Sequence, residues 1–81
     1  MERQVIKESV IDIIAECIKL PKDQISPDLS VGDVPQWGSM AQMSILATVQ
    51  SEFEVEIPEE DLFDLTSVLD IVEEVAKLKG V

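Results

Sequence analysis

The sequence predicts an all-α fold, a four-helix bundle of three main helices plus a short third helix, with a long loop between the first and the second. Three observations predict it. Apolar residues make up 46% of the 81, yet one Trp and two Phe are the whole aromatic complement, so the core must be built from Ile, Val, Leu and Met. Those aliphatic residues recur at spacings of three and four, the period of a helix with one buried face. Proline and glycine then punctuate the chain between the periodic stretches. A chain this short removes only about 60% of its unfolded surface from water on folding, which leaves room for one core. Residues 1–81 therefore read as a single domain.

The first helix is predicted from Ile6, Val10, Ile13, Cys17 and Leu20, spaced 4, 3, 4 and 3, with Ile11, Ile14 and Ile18 widening the stripe. Pro21 lacks an N–H and restrains the residue before it, so this helix should stop near Lys19. From Pro21 to Gly38 the chain carries three prolines, two glycines and scattered Asp and Ser, a composition of turns. Long ordered loops in small domains are often functional. The second helix is Ser39 to Phe53, with Met43, Leu46, Val49 and Phe53 at helical spacing and Met40 and Ile45 beside them. Pro58 suits the first position of the short third helix, where Glu59, Glu60 and Asp61 complement the positive end of the dipole and Leu62, Phe63 and Leu65 give an apolar side. Thr66 or Ser67 caps the fourth helix. Its Val68, Leu69, Val72, Val75 and Ala76 face inward, and Lys77, Lys79 and Gly80 terminate it.

Charge excludes several function classes. Seventeen acids against six bases give a net charge of −11, so nucleic acid and anionic membrane surfaces carry the same sign as the chain and are excluded as partners. No residue from Asp23 to Ala76 is basic, so a partner that reads this stretch should be electropositive. Cys17 is the only cysteine, which rules out an intramolecular disulfide; beside Glu16 it reads as a small buried hydrophobe. No apolar run exceeds three residues, so neither a membrane span nor a signal-peptide core is present, and a cytoplasmic location follows. There is no histidine and no Cys/His cluster, so no metal site and no catalytic residue is expected, and the chain is not read as an enzyme. A calcium loop is rejected as well: the alternating acids from Glu52 reach Ile57 at the sixth position, where that loop needs Gly.

One local constellation carries chemistry. The second helix opens with Trp37-Gly38-Ser39-Met40-Ala41-Gln42. Gly38 lets the loop turn into the helix without a Cβ clash, and Ser39 with Gln42 forms an S-x-x-Q capping box at or beside the N-cap. The same position suits a phosphodiester on the hydroxyl, because unpaired N–H groups and the positive dipole end favour an attached anion. Spacing alone does not choose between capping and attachment.

From about Val5 to Lys79 the sequence resembles an acyl carrier protein. The resemblance is carried by a serine-started helix after a long loop, by Glu52-Phe53-Glu54-Val55-Glu56-Ile57-Pro58-Glu59-Glu60-Asp61-Leu62, and by Thr66-Ser67-Val68-Leu69-Asp70-Ile71-Val72. Trp37-Gly38-Ser39-Met40 is similar to the family's Trp-Asp-Ser-Leu form. The resemblance implies that a phosphopantetheinyl transferase moves 4′-phosphopantetheine from coenzyme A onto Ser39. It further implies that the arm's thiol carries an acyl, aminoacyl or related group between loading and using enzymes, and that cargo folds between the helices.

Two departures stand out. Gly38 replaces the family's usual Asp, which bears on recognition by the transferase. Ala41, Ser44, Gln50 and Ser51 occupy places where the family commonly presents acids, and no charge appears from Trp37 to Ser51. Docking on this face is therefore expected to depend more on Met40 and other apolar contacts than on ion pairs, while Glu59 and Glu60 could meet a basic enzyme. The residues expected to contact partners are Gly38, Met40, Ser44, Glu59 and Glu60. Met40 is equally readable as core filler, and the acids as a solvated face. Trp37 reads as an anchor for the loop. Ala47, Thr48 and Ala76 are small enough either to leave room for cargo or to allow close helix packing. A monomer is the default oligomeric state. The alternative function is a carrier-like interaction module that stays unmodified because Gly38 has cost it efficient attachment.

Overall fold

The computed structural model describes residues 2–81. Helix α1 spans Arg3–Ile18, α2 Ser39–Phe53, α3 Glu59–Leu62 and α4 Val68–Lys79. A 3₁₀ turn at Lys22–Gln24 begins the long loop between α1 and α2. Helix α1 packs on both α2 and α4, so it forms the spine of the bundle. Among the described residues, no helix is long and apolar enough to cross a membrane.

The helix ends follow local chemistry. Lys19 turns left-handed at φ 62° and its N–H donates to the Ala15 carbonyl, ending α1 two residues before Pro21. Glu54 does the same for α2, at φ 54° with its N–H on the Gln50 carbonyl. Ser67 caps α4, its Oγ accepting from the Asp70 N–H at 3.1 Å, and the Asp70 carboxylate accepts from the Thr66 N–H and hydroxyl. Gly80 closes α4 at φ 77°, where a side chain would be strained. Pro58 is the residue before α3 and not its first helical position.

The buried face of α1 is Ile6, Val10, Ile14, Ala15 and Ile18. The expected line through Ile13, Cys17 and Leu20 lies to one side and is only half-buried. The i, i+4 line won because α1 is covered on two flanks, by α2 and α4, and the residues facing both partners lie on the bisector. In α2, Ile45, Leu46, Val49 and Phe53 are buried, whereas Met43 is 72% exposed and faces away from the core. In α4 the inward set is Val68, Ile71, Val72, Val75 and Ala76, and Leu69 turns outward. The i, i+3, i+4, i+7 series from Val68 leaves Leu69 off the stripe by its geometry. Helix α3 fully buries none of its residues, and Phe63 just beyond it is exposed.

The loop is held by the start of α4. The Val68 N–H donates to the Leu29 carbonyl at 3.0 Å and the Leu69 N–H to Pro27 at 3.2 Å, so loop carbonyls satisfy two amides that a helix start otherwise leaves open. The Val31 N–H donates to the Thr66 carbonyl at 2.8 Å, beside a one-residue bridge between Ser30 and Ser67. At the loop's other end Trp37 is fully buried, which makes it the anchor expected from the sequence. Its indole N–H donates to Gln42 Oε1 at 2.7 Å, and the Gln42 amide nitrogen donates to the Leu65 carbonyl.

That double use of Gln42 sets a test. In Gln42→Ala both the buried indole N–H and the Leu65 carbonyl lose their partner, which should cost about 1–3 kcal/mol in urea unfolding. Gln42→Glu, which keeps the acceptor for Trp37 but not the donor for Leu65, should fall between. Equal stability of all three proteins would show that the bridge contributes nothing. Trp37→Ala removes the largest core side chain and is expected to cost about 3–5 kcal/mol by the same measurement.

Candidate functional site

Ser39 is the first residue of α2, and its side chain is exposed. The N-cap is Gly38, so the capping box read from Ser39 and Gln42 does not form. Gln42 is already committed to Trp37 and Leu65, a contact 23 residues away that outcompetes the local one. Gln42 is also the first α2 amide to bond within the helix, to the Gly38 carbonyl at 2.9 Å, which leaves the amides of the first turn open toward Ser39. No side-chain cap covers this end, and no acidic residue stands in the first turn. The positive end of the α2 dipole is thus uncompensated next to a free hydroxyl.

Gly38 has φ −112° and ψ −162°, an extended conformation open to any residue, and a Cβ built there meets nothing within 4 Å. The glycine is therefore not needed to turn the loop into the helix, contrary to the expectation from sequence. Met40 is 86% exposed, which excludes it as core filler.

Ser39 lies on the rim of a cleft of about 540 Å³ between α2 and the α3 segment. Met43, Leu46 and Ala47 form one wall, Leu62 and Phe63 the other, and Val31 from the loop lies on the same lining. Most of that lining is hydrocarbon. A second, larger groove of about 650 Å³ lies on the opposite flank of α2, where Asp12, Glu16 and Cys17 of α1 face Ser44, Thr48 and Glu52. Ser39 is not among its lining residues, so the smaller cleft is the one that adjoins the hydroxyl. Cys17, expected to be a buried hydrophobe, is half-buried in that second groove because it sits beside the core line of α1.

The structure sorts the expected contact residues into groups. Gly38 and Met40 flank Ser39, and Glu59 lines the far edge of the cleft. Glu60 is exposed on α3, and Ser44 belongs to the second groove. Of the small residues, Ala47 lines the cleft, Thr48 lines the groove and Ala76 is core. Sequence reasoning missed Met43 and Phe63 as exposed cleft residues and Gln42 as the tie between loop and α3 segment. For Met43 the available signal was its place one turn after Ser39, on the same side of the helix.

Comparison with known proteins agrees with this geometry. Residues 8–75 match the sequence profile of the family described as "Phosphopantetheine attachment site". The chain is 32% identical to an acyl carrier protein of Chlorobium phaeobacteroides, over 89% of this chain and 92% of that one. It is 30% identical to an acyl carrier protein of Syntrophobacter fumaroxidans over 99% of both chains, and 31% identical to one of Kineococcus radiotolerans over 95% of both. With these matches over nearly the whole length the chain belongs to the acyl carrier protein family, whose acyl groups ride as thioesters on covalent 4′-phosphopantetheine.

Proposed function

We propose that Ser39 is the residue that carries the arm, through a phosphodiester on its Oγ. The observation that supports this reading is the exposed hydroxyl at the uncapped start of α2, on the rim of the cleft. The residues present fit the group. Open first-turn amides and the helix dipole favour the phosphate, nothing near Gly38 or Met40 crowds the approach, and the cleft offers hydrocarbon walls to whatever follows the arm inward. When attached, the arm supplies the thiol that holds an acyl group. The chain's own part is to present the hydroxyl, to favour the anion and to shield apolar cargo from water; it supplies no catalytic group, and the transferase and acyl-handling enzymes do the chemistry. The unmodified-module alternative is not favoured, because the family match is to a phosphopantetheine attachment site.

Partner recognition follows from the same surface. Met40, Met43 and Phe63 are 86%, 72% and 83% exposed near the cleft mouth, while Glu59 and Glu60 stand on α3. Partners therefore offer an apolar seat for the methionines and basic side chains for the α3 acids. This reading treats residues 1–81 as one carrier domain, supported by one continuous core, and as a cytoplasmic monomer that binds neither membrane nor nucleic acid, supported by the charge of −11.

Incubation with coenzyme A and a broad-specificity phosphopantetheinyl transferase should add the mass of one phosphopantetheinyl group to the parent and none to Ser39→Ala. A mass gain in both would place the arm elsewhere. Gly38→Asp fits without a clash and supplies an N-cap acceptor, so it should raise thermal stability by a few tenths of a kcal/mol or more. It should also speed arm transfer, and an unchanged rate would remove the glycine as a weak point of recognition. Met40→Ala should lower kcat/KM of the transferase about tenfold, or ~1.4 kcal/mol, with unfolding unchanged.

A further inference from the structure

One buried group has no part in the carrier site. Glu74 lies on the inward side of α4, between the buried Ile71 and Val75, and only 8% of it is exposed. Its Oε2 is shielded from solvent and lacks a hydrogen-bond partner among the described residues. A carboxylate buried in this way loses its hydration without compensation. The neighbour within hydrogen-bonding reach is another acid, the half-buried Asp61 of α3. Two ionised carboxylates are acceptors only and cannot bond to each other; with one proton between them, the orphaned oxygen becomes a donor and both are satisfied.

The surroundings leave this pair without rescue. From α4 itself, Lys77 is the cation that bears on Glu74. Arg3 of α1 is engaged by the adjacent Glu73, and α2 carries no charge before Glu52. Burial is the largest cause that pushes the Glu74 carboxyl above the ordinary glutamate range, followed by the hydrogen bond that its protonated form can donate to Asp61 and by the negative charge of Asp61, with Lys77 opposing.

We propose that the buried Glu74 carboxyl keeps its proton and donates it to Asp61, and that this hydrogen bond latches α3 onto α4 and so holds the outer wall of the cleft closed. Helix α3 depends on such a latch because it fully buries none of its own residues; the nearest buried anchors are Ile57 before it and Leu65 after it. Glu59, Leu62 and Phe63, which line the cleft, all belong to the segment between those anchors. When the proton leaves, two like charges face each other across the α3–α4 contact and the wall loosens. The sign follows from the raised value of Glu74: the latch is complete below the ordinary glutamate range and is lost as pH rises through the raised one. The latch stands without any arm on Ser39, whereas its bearing on cargo rests on the carrier reading.

The unmodified protein tests it, so a failure here leaves the attachment at Ser39 untouched. Amide exchange in α3 and carboxyl NMR titration are followed from about pH 5 to about pH 8 in the parent and in Glu74→Gln, which keeps a donor at every pH. Relative to Glu74→Gln at each pH, α3 protection in the parent should fall about tenfold across the range while α1 stays level. The Glu74 carboxyl should titrate above the ordinary glutamate range. Should Glu74→Gln fail to fold, Asp61→Asn, whose amide donates to the Glu74 carboxylate, should give the same pH-independent α3. Parallel loss of α3 protection in parent and variant, or a Glu74 titration like that of an exposed glutamate, would overturn the latch.

Discussion

The site depends on one side chain that reaches in two directions. Gln42 accepts from the Trp37 indole at the end of the loop and donates to the Leu65 carbonyl at the end of the α3 segment. Its backbone belongs to the first turn of α2. Three pieces of chain that share no regular secondary structure are thereby fixed around the start of one helix. The hydroxyl of Ser39 stays free because Gly38 takes the N-cap position and its carbonyl already accepts from the Gln42 N–H. Gln50 repeats the device at the far end of α2, where its Oε1 accepts from the Ile57 N–H at 2.9 Å and its backbone carbonyl receives Glu54 and Val55. The two glutamines bracket the cleft and set its length.

Around this frame, charge and hydrocarbon are separated. Helix α2 is uncharged through Ser51 and exposes methionine, while α3 gathers Glu59, Glu60 and Asp61 in four residues. The ion pairs Arg3 with Glu73 and Lys22 with Asp12 lie on the α1 side and are half-exposed, so they add little to stability. The cleft face is left without internal cations. A cation that meets it must come from a partner.

Most of the fold was legible because helix punctuation is local. Pro21, Gly38, Pro58, Ser67 and Gly80 mark boundaries by backbone rules that act within a few residues; α1 ends three residues before Pro21, and the other four boundaries fall next to their markers. What failed depended on distance. The Ser39–Gln42 box is a sound local pattern, yet it lost to a bond across 23 residues that no spacing rule can see. Met43, Phe63 and Leu69 were read inward because apolar periodicity marks a face without saying whether anything covers it. Cys17 and Ile13 moved off the core line once α1 was shared between two neighbours. Ser39 could be singled out from sequence through its place in a family pattern, and its exposure at the start of α2 is compatible with that expectation; the cleft beside it required knowing that α3 stands opposite α2.

The bonds from Val68 and Leu69 to the loop carbonyls of Leu29 and Pro27 tie the two halves of the chain together. They join segments about forty residues apart, so each depends on closing a wide circuit of chain. The loop they secure leads into Trp37, and Trp37 leads into Ser39. Undocking the carboxyl-terminal helix would therefore release more than its own core face, because the loop that leads into α2 would lose the two bonds that hold its middle.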